Sequence, residues 1–303
     1  MRTVWLLVVA ILIAGLAPVC AAEEAKTDIP LYDGKPGTKI GDVCVNLKDG
    51  AEMVWVPAGE FTMGSTNKQT AAVLREWTHD LKDYQFVLDA EKPQRKVYLD
   101  GYWMYKCEVT VAQYRKFCEA TERKMPDAPS WGWKEDHPMV MVIWQDSADY
   151  AKWSGVSLPT DAQWEKAARG TDGRIYPWGN SWDLNKCITY PDGGSTDPVG
   201  SHPEGTSPYG CMDMAGNVQE WCADWYDPNY YKNAPTRNPK GPSRAAKFTM
   251  MPTGHAGEGS GARVSRGGSW DYGSYDSFRC ASRNYSASTG RSHARGFRCA
   301  KTP

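Results

Sequence analysis

The residues best suited to chemistry lie in one stretch near the middle of the chain, Ser207–Tyr226, SPYGCMDMAGNVQEWCADWY. Asp213, Gly216, Val218 and Glu220 stand at offsets 0, 3, 5 and 7. Two carboxylates with main-chain carbonyls between them, in a loop turned by glycine, can wrap a hard cation. Calcium takes about six to eight oxygens and accepts backbone carbonyls readily. A second reading fits the same residues: a tight turn in which Asp213 and Asn217 cap backbone groups and Glu220 meets an arginine. The spacing leaves both open. The core of the stretch, Asp213–Trp221, is too irregular for a helix and too polar for a buried strand, so a loop is expected there.

The flanking elements must hold this loop. Met53-Val54-Trp55-Val56-Pro57 reads as a strand, Ala58-Gly59 as a turn and Phe61-Thr62-Met63-Gly64 as the return strand. Residues 66–95 are charged and predict a surface excursion with some helix. Arg95–Leu99 and Tyr102–Tyr105 are the next strands. At Thr110 the period changes. Thr110 and Gln113 make a capping box, and Val111, Tyr114, Phe117 and Cys118 follow at helical spacing. Pro138–Trp144 is an apolar run, and Asp146 is the expected N-cap of a short helix ending at Gly155. Thr160 and Gln163 repeat the capping box, with Gly170 ending that helix. Tyr176–Asn180 is an aromatic turn, and residues 229–261 predict a long loop rich in Pro, Gly and Lys. Arg263–Ala300 alternates strands with polar turns. Neither a repeat nor a βαβ alternation is present.

A net charge of −1 over 303 residues gives no electrostatic case for nucleic acid or an anionic membrane. Abundant Gly, Pro and Trp point to a loop-rich globular fold with large aromatics as packing units. Residues 1–22 read as a signal peptide: Arg2 is the charged head, Val4–Leu16 the apolar run, and Val19-Cys20-Ala21-Ala22 the cleavage region. The run is short for a membrane span of about 20 residues. Cys20 keeps a bacterial lipoprotein as an alternative. No later segment is apolar enough to span, so the mature chain is expected to be exported, to the periplasm, the cell surface or beyond. Residues 23–42 are expected to be a polar linker and 43–303 one domain. Beyond Cys20 the cysteines are Cys44, Cys107, Cys118, Cys187, Cys211, Cys222, Cys280 and Cys299. An even number in an exported chain suggests disulfides. The absence of a C-x-x-C pair argues against zinc.

Seven motifs in this order resemble the formylglycine-generating enzyme family, also called the sulfatase-modifying factor domain. They are MVWVPAGEFTMGS (53–65), EVTVAQYRKF (108–117), LPTDAQWEKAARG (158–170), YPWGN (176–180), MAGNVQEWCADW (214–225), RGGSW (266–270) and GFRCA (296–300). The resemblance implies a single α+β domain of the C-type-lectin-like formylglycine-generating-enzyme fold, with little regular secondary structure and bound calcium. It places the family's main calcium site on Asp213, Gly216, Val218 and Glu220. A second site would use Asn185, the Lys186 carbonyl and an acid near Asp192, though the spacing there slips by a residue or so.

The chain departs from the family where the oxidation chemistry would be. Family members that convert a target cysteine to formylglycine bind copper(I) with two cysteines a few residues after Gly-Gly-Ser, and soft thiolates select that ion. Here Gly267-Gly268-Ser269 leads to Tyr272 and Tyr275 at roughly those positions, and Cys280 matches a structural cysteine. Copper is therefore not expected, and no catalytic residue is assigned. The five histidines, His79, His137, His202, His255 and His293, are scattered without ligand spacing. Arg279, Arg283 and Arg298 are expected to hold the core through carboxylates and carbonyls. The remaining candidates form a binding surface: Trp270, Asp271, Tyr272, Ser274, Tyr275, Asn284, Tyr285 and His293. Tyr, Ser, Asn and Asp on loops of a rigid scaffold suit adaptable recognition, here of an exported protein, peptide or glycan. The frame-and-filler pattern also resembles the variable segment of proteins diversified by retroelements. The alternative is an oxidoreductase or maturation factor that modifies an exported partner.

Overall fold

The computed structural model describes residues 29–76, 81–189, 194–246, 261–272 and 275–303. Among them lie ten strands, five α-helices and short 3-10 turns. The signal peptide, Cys20, His79, Asp192, His255 and Ser274 fall outside the described residues.

β1 (Val43–Val45), β2 (Glu52–Val56), β5 (Tyr102–Tyr105) and β10 (Ala300–Lys301) form one antiparallel sheet in the order β1-β2-β5-β10. β3 (Gly59–Met63) and β4 (Arg95–Leu99) pair as a two-stranded sheet. The third sheet has the order β8-β7-β6-β9, from β8 (Asn284–Ala287), β7 (Ala262–Arg266), β6 (Gln219–Trp225) and β9 (Arg295–Gly296). Its β6–β9 pairing is parallel. The expected strands at 53–57, 61–64, 95–99 and 102–105 are present within a residue or two at their ends.

The helices are α1 (Asn67–Glu76), α2 (Leu81–Asp89), α3 (Val111–Ala120), α4 (Trp144–Trp153) and α5 (Asp161–Arg169). Both expected capping boxes form: the Thr110 and Thr160 hydroxyls accept from the main chain of Gln113 and Gln163, whose side chains accept in return. Each satisfies two helix-end donors that would otherwise lack partners. α4 begins earlier than expected. Its N-cap is Ile143, and Asp146 sits three residues in, where its Oδ2 accepts from Ile143 N at 3.2 Å. The carboxylate still serves the first turn, from inside it.

The largest departure is β6. Gln219–Trp225 is an interior strand with Gln219, Glu220, Trp221 and Cys222 all buried, although the polar segment reads as a loop up to Trp221. Burial is possible because the charge of Glu220 meets a partner far along the chain, Arg298. Residues 29–42 are laid along the first sheet, where a linker was expected. Tyr32 N donates to Val45 O at 2.9 Å and Trp103 Nε1 to Lys35 O at 3.0 Å.

Apolar packing falls on two sides of β6. Trp164, Met104, Tyr226 and Val264 belong to one cluster, and Tyr114, Phe117, Tyr150, Trp221 and Phe297 to the other. An ionic network crosses the first. Asp161 accepts from Arg266 Nε at 2.6 Å and Arg283 Nε at 2.7 Å, and Glu165 from Arg266 Nη2 at 2.9 Å and Arg169 Nη1 at 2.8 Å. The expectation of disulfides is corrected. All eight cysteines from Cys44 onward are unpaired, seven of them buried, where a thiol serves as a small apolar packing group. Among the described residues no helix is long and apolar enough to cross a membrane.

Candidate functional site

The loop before β6 is turned by residues with positive φ: Asp213 at 56°, Gly216 at 89° and Asn217 at 55°. A Cβ on Gly216 would stand 2.5 Å from the Ile188 carbonyl oxygen, so only glycine fits the approach. Asn217 Oδ1 accepts from Asp197 N at 3.1 Å, and Asn217 O accepts from Trp270 N at 2.9 Å. The loop thus joins residues 197–200 to the Gly-Gly-Ser-Trp segment.

Its carboxylates divide. Glu220 is fully buried and paired: Arg298 Nε and Nη2 donate to it at 2.7 Å each, and Trp164 Nε1 at 2.8 Å. Arg298 also donates to the carbonyls of Tyr105, Lys106 and Met212. Asp213 accepts one bond, from Gly200 N at 2.6 Å, and burial pushes its pKa up. Glu108 makes the arrangement more demanding. It is buried, both its oxygens lack a hydrogen-bond partner, and burial with the neighbouring Asp213 charge drives its pKa well up. Arg298, already paired with Glu220, is a nearby positive charge for both carboxylates but does not offset the cost of burying them, and a bound cation would relieve them. The available donors are hard oxygens, which suits calcium. Glu108 had no sequence signal beyond its motif, because only folding brings it to the loop. Among the described residues no group of three or more Asp, Glu, His or Cys side chains forms a complete metal cluster, so main-chain carbonyls would have to supply the rest.

The second expected metal site is less open. Asn185 and Lys186 sit in a 3-10 turn, Leu184–Lys186, with Asn185 N and Nδ2 both donating to Asp183 Oδ1. The Lys186 carbonyl is faced by Gly205, where a Cβ would stand only 2.1 Å from the oxygen.

After β7 the chain passes through Gly267 and Gly268, at φ 98° and 70°. A Cβ on Gly268 would meet Phe278 at 2.8 Å. Ser269 is buried and donates to Asp271 Oδ1 at 2.6 Å. Tyr272 packs against the cluster of Tyr176, Ala215 and Phe278, and burial pushes its phenol pKa up. The Tyr275 ring lies 6.2 Å from that of Trp182. Cys280 is fully buried, its N donates to Ile175 O at 2.8 Å, and burial pushes its thiol up to about 12.

The eight proposed binding residues do not form one patch. Trp270, Asp271 and His293 come together, with the His293 ring 5.5 Å from Trp270 and its Nε2 3.7 Å from Asp271 Oδ2. Trp131 joins them edge-on, 5.5 Å from Trp270 and 5.9 Å from His293. Trp131, two residues before Trp133 in a Pro- and Gly-bearing loop, carries no sequence sign of that role. Tyr275 lies beside Trp182, and Tyr272 packs against Tyr176, Ala215 and Phe278 with its phenol within reach of the Asp271 and Arg295 charges. Asn284 and Tyr285 lie in β8, where Tyr285 packs 4.5 Å from Tyr226 and 6.4 Å from Phe86. The three arginines hold the core as expected: Arg279 on Glu91, Arg283 on Asp161 and Arg298 on Glu220. His137 and His202 bond Thr196 and Asp197.

A family model described as the sulfatase-modifying factor enzyme 1-like domain matches residues 40–303. The formylglycine-generating enzyme of Thermomonospora curvata is 30% identical, over 83% of this chain and 93% of that protein. The corresponding enzyme of Streptomyces coelicolor is 40% identical, over 55% of this chain and 53% of its own length. Among solved structures, PvdO from Pseudomonas aeruginosa superposes with a TM-score of 0.65 at 25% identity, covering 88% of this chain and all of that one. The chain therefore belongs to the sulfatase-modifying factor family and carries its C-type-lectin-like α+β fold.

Proposed function

We propose that this chain is an exported, calcium-stabilised binding module that has lost the copper oxidation of its family. One observation carries the reading. Where the copper(I) thiolates would stand, Tyr272 and Tyr275 are packed against aromatic neighbours, and the next cysteine, Cys280, is a buried, protonated thiol. A phenol is a poor substitute for a soft thiolate on copper(I).

Calcium would be held by Asp213 and Glu108 with the carbonyls of Gly216 and Val218, while Glu220 stands behind them on Arg298. The ion supplies positive charge to carboxylates that otherwise share a buried site. Its test is thermal. Calcium should raise the melting temperature of the wild type, and Glu108→Gln should melt higher than wild type in chelator while losing most of the calcium-induced rise. An equal rise in both proteins would count against Glu108 as a ligand.

The ligand surface in this reading is Trp131, Trp270, Asp271 and His293. Trp270 is buried, and the half-buried Trp131 with the adjacent His293–Asp271 pair forms the rim that suits a protein, peptide or glycan ligand. Screening peptide and glycan arrays with wild type and a Trp131→Ala, His293→Ala double variant tests it. Binding that is lost in the folded variant supports the face, and binding that persists rules it out.

A further inference from the structure

A cavity of about 400 Å³ opens between α1 and the aromatic turn Tyr176–Asn180. Tyr176, Trp182 and Tyr275 form one wall, Ala72 and Val73 of α1 the other. The Trp182 ring lies 5.2 Å from Tyr176 and 6.2 Å from Tyr275, both tilted, so the wall presents ring faces and edges together. That surface favours another aromatic ring in an edge or offset arrangement.

The base carries two guanidiniums, each bonded to a carboxylate through its Nη atoms. Arg169 Nη1 donates to Glu165 at 2.8 Å, and Arg279 Nη1 and Nη2 donate to Glu91 at 2.9 and 2.7 Å. With those Nη atoms engaged, what a ligand meets in the cavity is mainly the ring surface of Tyr176, Trp182 and Tyr275 and the apolar side of α1. At the mouth stand two carboxamides, Gln69 and Asn180. Gln69 Oε1 accepts from Thr66 N at 2.8 Å and Gln94 Nε2 at 3.2 Å, and Asn180 Oδ1 accepts from Ile175 N at 3.0 Å. With the oxygens engaged internally, the amide NH2 groups are left to donate to a ligand.

We propose that this cavity is a peptide-anchoring pocket: it takes one aromatic side chain of a partner protein, while Gln69 and Asn180 donate to the partner's flanking main-chain carbonyls. The volume falls in the range of about 300–1,000 Å³ usual for ligand pockets. The pocket shares no lining residue with the Trp131–Trp270–His293 face, so either site can fail without the other.

Two probes separate the ring from the peptide group: indole, and N-acetyl-L-tryptophan methylamide. Each is titrated calorimetrically into the calcium-loaded protein. The methylamide should bind saturably and about tenfold more tightly than indole, the gain expected of two hydrogen bonds. Ala72 is exposed on α1, so Ala72→Phe can cover the mouth without crowding the core. It should weaken both probes at least tenfold at an unchanged melting temperature. A Gln69→Ala, Asn180→Ala variant should bring the methylamide down to the level of indole. Absence of saturable methylamide binding, equal affinity for both probes, or unchanged binding in folded Ala72→Phe would overturn the proposal.

Discussion

Replacing Asp276 by Asn should remove a specific part of the protein's pH dependence. Asp276 lies in the 3-10 turn Tyr275–Phe278, is 1% exposed, and neither carboxylate oxygen has a hydrogen-bond partner. Burial pushes its pKa up to about 7 despite the nearby Arg279 charge. Below about pH 4 the group is protonated in the folded and unfolded protein alike and has no effect on the balance. From there to pH 7 the folded protein keeps the proton that the unfolded chain releases, so stability falls as pH rises. Above 7 the loss is complete, on the order of 4 kcal/mol for a pKa of about 7 against an ordinary 3.8. Between pH 5 and 8 the share lost is about 2–3 kcal/mol. Asn cannot ionise, so Asp276→Asn should gain that amount on wild type as pH rises from 5 to 8, whatever its buried amide costs at both. Urea unfolding of both proteins at the two pH values measures it. Asp224, also pushed up to about 7, titrates in both proteins and cancels in the comparison. A difference between the two that stays constant with pH would show that Asp276 does not titrate differently in the folded and unfolded protein.

Arg298→Met should lower stability by about 3–5 kcal/mol, because it leaves the buried Glu220 charge without its partner; chemical denaturation reads the loss. Glu220→Gln with Arg298→Met should recover part of it, since the stranded charge is then gone. In a thiol-reactivity assay the native protein should react slowly and first at Cys107, the one cysteine from Cys44 onward that is not buried, because burial and the Asp213 and Glu108 charges keep its thiol protonated. All eight should react after unfolding without reductant, and a shortfall would reveal disulfides.

Much of the scaffold was legible because its signals are local. The Thr110–Gln113 and Thr160–Gln163 boxes each need four consecutive residues, and the strand pairs around Ala58-Gly59 follow from alternation and a turn. β6 was not legible as a strand. Gln219 and Glu220 look solvent-facing until Arg298, 78 positions away, is known to pair with Glu220. The spacing of Asp213, Gly216, Val218 and Glu220 fits a cation loop and a capped turn alike, and Glu108, 105 positions before Asp213, stands in a helix-start motif with no local link to that loop. The candidate binding residues share polar and aromatic types within one segment, 270–293. Strand pairing and ring packing then sent Tyr285 to Tyr226, Tyr275 to Trp182 and Trp270 to Trp131 and His293, partners that proximity in sequence does not report.

Oxidation of a cysteine peptide tests the central claim most directly. The mature protein, shown to be folded and loaded with calcium, is given copper(I), oxygen and a sulfatase-type cysteine peptide, and the peptide is followed by mass spectrometry. The cysteine should be recovered without conversion to formylglycine, even at high protein concentration. Formation of the aldehyde, in amounts that scale with the protein, would contradict it, since some other set of groups would then be holding copper where Tyr272 and Tyr275 stand.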